Sequence, residues 1–160
     1  MTAVRAALLL GTVSFVLIVG ALGFQYLGGI APCEMCHWQR WPHIAAAIIG
    51  LGGGALIANG TLDARSAWLV VWIALALIAI AGALGAYHAG VEWKLWAGPA
   101  ACTGERVVFT GLHGINENGV VRCDQPAWRL FGLSLAGYNA IISLGVAAGA
   151  AYYLTRSSRR

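Results

Sequence analysis

Four stretches of the chain contain no Asp, Glu, Lys or Arg: residues 6–33, 41–62, 66–91 and 130–155. Each is longer than the ~20 residues an α-helix needs to cross the hydrocarbon core of a bilayer. The expected fold class is therefore an all-α membrane protein. Four transmembrane helices, near 6–27, 42–59, 67–87 and 131–154, would form one bundle, with two loops, 28–41 and 88–128, on one side of the membrane. A soluble domain carries about a quarter charged residues, whereas this one has 10% in 160 residues. By length it is one domain.

The first stretch has Arg5 before it and small residues at Ala21 and Gly23, as a signal peptide would. Signal h-regions run only about 7–15 residues, and this one continues well past that, so a retained first helix is expected. An even number of crossings puts both termini on one side. Basic residues tie between the sides: Arg5, Arg65, Arg156, Arg159 and Arg160 against Arg40, Lys94, Arg106, Arg122 and Arg129. The first five are concentrated in short tails and one short loop, so the positive-inside rule places both termini in the cytoplasm. All four cysteines, Cys33, Cys36, Cys102 and Cys123, then fall in the two opposite loops. In a bacterial inner-membrane protein those loops are periplasmic, and disulfides persist there. The net charge of +4 says little about nucleic acid; the only basic cluster is the tail Arg156, Arg159, Arg160, which suits a cytoplasmic anchor, and no nucleic-acid partner is expected.

Tyr26, Trp38, Trp41, Tyr87, Trp93, Trp96 and Trp128 would lie near the outer boundary, and Trp68, Trp72, Tyr152 and Tyr153 near the inner one, as interfacial belts do. Gly50, Gly52, Gly53 and Gly54 in the second helix read as close-packing positions, and Ser134, Asn139 and Ser143 in the fourth as interhelical hydrogen-bonding groups. The segment between Tyr87 and Trp128 is too short for a core of its own. It contains the turn signal Asn118-Gly119, and Val107, Val108, Phe109, Leu112 and Ile115 form a short apolar set whose periodicity fits neither helix nor strand. No repeat, low-complexity tract or phosphate-binding loop is present.

Residues 31–43 concentrate the chemistry: Ala-Pro-Cys-Glu-Met-Cys-His-Trp-Gln-Arg-Trp-Pro-His. Three readings compete. In dithiol–disulfide exchange, Cys33-x-x-Cys36 places both sulfurs on one side of a helical turn. Arg40, four residues after Cys36, would share its face, and the guanidinium with the helix N-terminus would favour the nucleophilic thiolate. Cys102 and Cys123 suit a loop-closing disulfide that opens and closes by exchange. Two pairs on one face suggest a relay between a soluble protein and something in the lipid. In the second reading Cys33-Glu34-Met35-Cys36-His37 is a c-type haem attachment sequence; against it, helix two begins within a few residues, and Cys102 and Cys123 are left without a role. The third is structural zinc, for which the second pair is spaced too widely. Structural disulfides in an inert loop are a further possibility, although a Cys-x-x-Cys bridge closes too small a loop to stabilise much. No metal site is expected. His88, at the end of helix three, is a candidate hydrogen-bonding partner for a carbonyl oxygen at the depth of Arg40. His43 reads as a packing residue, His113 as a solvated loop residue, and Glu34, Glu92, Glu105 and Glu117 as surface charges.

Taken in order, Cys33-x-x-Cys36-x-x-x-Arg40, Tyr87-His88, Gly98-Pro99-x-x-Cys102, Cys123 followed by Trp128, and Gly132-Leu133-Ser134-Leu135-Ala136-Gly137 resemble the disulfide bond formation protein B (DsbB) family over nearly the whole chain. The resemblance implies a membrane enzyme that reoxidises a periplasmic thioredoxin-like dithiol oxidase, DsbA, and passes the electrons to a membrane quinone, ubiquinone or menaquinone. That pairing maintains an oxidising periplasm in which proteins fold. It also implies roles. Cys102, paired with Cys123, would form the mixed disulfide with the partner. Electrons would reach Cys33–Cys36 through a Cys33–Cys123 bond. Cys36 would face the quinone, and Arg40 and His88 would hold its oxygens. One departure is Gln39, where the family often has an acidic residue; it leaves the charge near the quinone more positive. The remaining alternatives are a specialised paralogue with one client, a membrane-anchored c-type haem electron carrier, and a non-enzymatic assembly factor.

Overall fold

The computed structural model describes residues 2–103 and 121–157. Four helices are long and apolar enough to cross a membrane: α1 (Ala3–Tyr26), α2 (Glu34–Ala58), α3 (Ala64–Glu92) and α5 (Leu135–Ser157). Between α3 and α5 lie a single turn, α4 (Ala100–Thr103), and a two-stranded hairpin, β1 (Arg129–Leu130) and β2 (Leu133–Ser134). The helix count is as expected, and the ends differ in informative ways.

α2 begins eight residues before the expected position. Cys33 is its N-cap, its Sγ accepting from the Cys36 N–H at 3.3 Å, and Glu34 in the first turn suits the positive end of the helix dipole. Pro42 therefore sits inside the helix rather than starting it; the backbone acceptor it leaves unused is tolerable in a packed membrane helix. Further on, residues Ile48–Gly52 form a π-helical stretch. There Gly50 meets Gly11 of α1 so closely that a Cβ on Gly50 would lie 2.6 Å from the Gly11 Cα. Gly53 and Gly54 face Val70 and Leu8, whereas Gly52 faces open space, so three of the four glycines expected to serve packing do so.

α3 starts on an Asp63 cap, Oδ1 accepting from the Ser66 N–H at 3.1 Å, and runs five residues past the expected end. It closes through a pair of backbone bonds, Lys94 N–H to Val91 O and Leu95 N–H to Gly90 O, with Lys94 in the left-handed region at φ 60°. This is the Schellman arrangement, with the unusual Lys94 side chain fixed on Asp124 at 2.5 Å. Tyr87 and Trp96 stack at 5.9 Å, and the Trp96 indole donates to Tyr87 O. Tyr87 and Trp96 thus fold the loop onto α3.

The fourth membrane helix starts at Leu135, not 131. Phe131 and Gly132 both have positive φ, 50° and 81°, as a tight two-residue hairpin turn requires, so Leu133 and Ser134 pair back with Leu130 and Arg129. Ser134 then accepts from the Gly137 N–H. The apolar loop residues 107–109, 112 and 115, together with Glu105, His113, Glu117 and the Asn118-Gly119 turn, lie outside the described residues.

The helices bury small residues inward. Ala6, Ala7 and Leu10 of α1 meet Val71, Ala74 and Ile78 of α3 and Ala147, Ala150 and Leu154 of α5. Large apolar side chains such as Val16, Ile48, Leu69 and Ile141 are left facing outward, as lipid contact allows. A second buried cluster at the opposite end joins Cys33, Met35, Val91, Cys102 and Cys123. Both cysteine-bearing segments therefore meet at one end of the bundle.

Candidate active site at the cysteine end of the bundle

Because Cys33 caps α2 and Cys36 is in its first turn, their sulfurs face each other at 2.7 Å as free thiols. Cys33 is buried, and the contact with Cys36 together with burial pushes its thiol well above the usual range. Cys102 and Cys123 are joined by a disulfide, with Cα atoms 5.4 Å apart. The Cys123 N–H donates to Cys102 O, and Arg122 and Lys94 both bind the Asp124 carboxylate. Those two cations hold that carboxyl well below the ordinary carboxylate range.

His88 connects the two pairs. Its Nε2 is 3.1 Å from Cys123 O and 3.7 Å from Cys33 Sγ. Its Nδ1 is 2.9 Å from Gln39 Nε2. The protonation pattern follows from the surroundings. Gln39 Nε2 also donates to Met35 O at 3.0 Å, and a backbone carbonyl only accepts, so that atom is the amide nitrogen. His88 Nδ1 is then an acceptor, and Nε2 carries the hydrogen that points at Cys123 O. The same logic extends inward. Asn139 Nδ2 donates to Ala81 O at 3.1 Å and to Gln39 Oε1 at 2.8 Å. Asn139 Oδ1 accepts from His43 Nε2 and from the Ser143 hydroxyl, both at 2.8 Å. The Ser14 hydroxyl lies 3.3 Å from His43 Nδ1. A directed chain of hydrogen bonds thus runs from Ser14 on α1 through His43, Asn139, Gln39 and His88 to the Cys123 carbonyl. His43 is buried, as a packing residue would be, but it is also a member of this chain.

A cavity of about 430 Å³ opens beside these groups. Cys33, Cys36, Arg40 and His88 all line its polar end. Apolar side chains of α1 and α5, among them Leu17, Phe24, Leu135 and Ile142, form its walls, and α1 and α5 make few contacts with each other. Arg40 donates from Nη1 to Gln25 Oε1 at 2.6 Å, which ties α2 to α1 and holds the guanidinium at the cavity. The structure therefore brings together the sequence-predicted residues of the membrane end, with the Cys102–Cys123 pair packed against Cys33. Donor atoms of Cys33, Cys36 and His88 lie within 4.8 Å of one another, but both nitrogens of His88 are engaged by protein groups, so the three are not read as metal ligands.

Two residues need correction or promotion. Glu92, read from sequence as a surface charge, is buried at 7% exposure and lines the cavity, because α3 continues past His88 by one full turn. The spacing of four between His88 and Glu92 was the available signal once the helix was extended. Gln39 was visible only as a departure in charge; its burial and its bonds to His88 and Asn139 come from helices far apart in sequence. Glu34 is exposed, as expected, and accepts from the Trp38 indole at 3.1 Å.

A free cysteine pair at the mouth of a membrane-length helix, packed against a bonded pair and an apolar cavity, defines a membrane protein arranged for thiol–disulfide chemistry. The family model described as disulfide bond formation protein DsbB matches residues 3–153, and the chain belongs to that family. A Disulfide bond formation protein B 1 from Burkholderia lata is 34% identical over 149 residues, covering 86% of this chain and 80% of its own. A Disulfide bond formation protein B from Aromatoleum aromaticum is 28% identical over 162 residues, covering 94% and 92%. One from Burkholderia ambifaria is 34% identical over 100 residues, 62% of this chain and 54% of that protein. No solved structure matches the chain.

Proposed function

We propose that this protein is a quinone-dependent protein-disulfide oxidoreductase of the bacterial inner membrane, with its termini in the cytoplasm and its cysteines in the periplasm. A reduced DsbA-type partner attacks Cys102 with a thiolate, the Cys102–Cys123 bond breaks, and Cys123 leaves as thiolate. Cys123 then attacks Cys33 of a Cys33–Cys36 disulfide, which releases Cys36 as thiolate toward the cavity. The partner's second thiolate attacks the mixed disulfide, the oxidised partner leaves, and Cys102 recloses on Cys123. The electron pair now rests on Cys33 and Cys36. Cys102 is 2% exposed, so partner attack requires its loop to lift.

The observation that carries this reading is the shared position of the two pairs. Cys33, Cys102 and Cys123 occupy one buried cluster, and Cys36 and Arg40 face one cavity. A quinone fits the residues present. The volume is in the range of small-molecule sites, the walls are apolar, and the polar end offers a fixed guanidinium. The quinone supplies the oxidising power; the chain supplies position, a desolvated sulfur, and a cation where negative charge develops. His88, with its Nε2–H on Cys123 O, orients the loop carbonyl and Cys33 in this state. The haem alternative leaves Cys102 and Cys123, which share one buried cluster with Cys33, without a role.

The test is oxidation of a reduced thioredoxin-like partner with a short-chain ubiquinone or menaquinone, followed for the four Cys→Ser variants and Arg40→Ala. Each cysteine variant loses turnover. Arg40→Ala raises the apparent KM for quinone and spares exchange between Cys102 and the partner. Full turnover in both Cys33→Ser and Cys36→Ser refutes the relay, and a c-type haem spectrum from the purified protein favours the alternative.

A further inference from the structure

The proposed relay uses the cysteines and Arg40, the hydrogen-bond chain uses His43 and His88, and among the described residues buried Glu92 is left without a task. Glu92 ends α3 one turn beyond His88, and its Oε2 has no hydrogen-bond partner. Its Oε1 is 3.7 Å from His88 Nε2, which is 3.7 Å from Cys33 Sγ. The carboxyl lines the same cavity as Cys36 and Arg40, and it is the one carboxyl among the described lining residues. From the hairpin side it faces the Ser134 hydroxyl and the Arg129 guanidinium, and Arg122 also borders the cavity. Folded proteins leave few buried polar atoms unpaired, and catalytic use is one of the reasons they do.

The chemistry of the site calls for a proton carrier. Once the relay has delivered its electron pair, the Cys33 and Cys36 thiolates each take a proton from water at the loop end, so rejoining the two thiols in a disulfide releases two electrons and two protons. A quinone-class acceptor needs both electrons and two protons to become hydroquinone. The walls around the reacting sulfur are mostly apolar, and the Arg40 guanidinium offers only donors and no acceptor for a proton. We propose that Glu92 is the proton-carrying residue of this cavity. Its carboxylate takes one of the two thiol protons as the S–S bond forms and returns it, from the unpaired Oε2, to the oxygen of the reduced acceptor. The other thiol proton leaves to water at the loop end, and one proton from the same water completes the hydroquinone. This assignment rests on the quinone reading above and adds the residue that moves the proton.

The experiment uses the full chain in lipid nanodiscs and two substitutions, Glu92→Gln and Glu92→Asp. The first readout needs no quinone: an infrared difference spectrum between the reduced and oxidised Cys33–Cys36 states. The wild type shows a carboxyl C=O band that is absent in Glu92→Gln and shifted in Glu92→Asp. The second readout is turnover with a short-chain ubiquinone. Glu92→Gln loses about a hundredfold, the scale of general acid–base catalysis, and its pH dependence flattens, while Glu92→Asp recovers most of the rate and Cys102 exchange with the partner is unchanged. A wild type that reduces quinone, with Glu92→Gln equal to it in band and rate, overturns the proton role alone. A carboxyl band of the expected behaviour in a chain that reduces no quinone overturns the acceptor and supports the proton role.

Discussion

Replacing Gln39 with leucine tests whether the buried hydrogen-bond chain sets the geometry of His88. The two side chains are similar in volume, so packing changes little and the polar loss dominates. Three bonds disappear, to Met35 O, His88 Nδ1 and Asn139 Nδ2, at 3.0, 2.9 and 2.8 Å. Met35 O keeps its helical partner. His88 Nδ1 and one hydrogen of Asn139 Nδ2 are left unpaired inside the bundle. Interhelical bonds in membrane proteins average only about 0.6 kcal/mol each, which would make the loss about 1–2 kcal/mol. An orphaned buried partner costs about 1–3 kcal/mol, and there are two. The second effect sets the scale, and because both groups line the cavity, where partial solvation relieves some of the cost, the expected destabilisation is about 2–4 kcal/mol, below the full sum. For a chain of this size that lowers Tm by roughly 5–15 °C. Nitrogen-15 spectra of labelled histidine supply the specific readout: wild-type His88 shows a protonated Nε2 and a bare Nδ1, and Gln39→Leu mixes the tautomers. A variant with unchanged Tm and unchanged His88 shifts refutes the directed chain.

Other expectations follow from the packing and the loop. Gly50→Ala forces a Cβ to within 2.8 Å of the Ala7 carbonyl oxygen and separates α1 from α2, at about 1–3 kcal/mol. Gly52→Ala meets nothing within 4 Å and leaves stability in a denaturation assay within error. Asp124 anchors the segment after Cys123, and its folded pKa is depressed by Arg122 and Lys94. Its contribution is therefore full above the unfolded value of about 3.9 and is lost as pH falls through the lower folded value. Asp124→Asn accordingly speeds reduction of Cys102–Cys123 by a phosphine at pH 7, and the difference from wild type shrinks in strong acid. Equal reduction rates at pH 7 would show that the ion pairs do not hold this loop.

The sequence determined the number of crossings and the meeting of both cysteine pairs at one end. Charge-free runs record where the chain avoids water, and an even number of crossings fixes which loops share a side. The same record misplaced the helix ends. A charge marks the edge of the lipid, whereas a helix stops where its last backbone groups find other partners. α2 therefore extends back to the Cys33 cap, and α3 extends past His88 to the turn at Lys94. The hairpin at 129–134 depended on the positive φ of Phe131, which composition does not announce. Only the tertiary structure decided what the polar residues of the interior do. Gln39, His43, Asn139 and Ser143 join across up to 100 positions of sequence, and a buried polar group takes whatever partner the packing brings to it. Cys33-x-x-Cys36 and Arg40 were legible because their spacing is local. The tautomer of His88 and the burial of Glu92 were not, because each is set by neighbours on other elements or by where α3 ends.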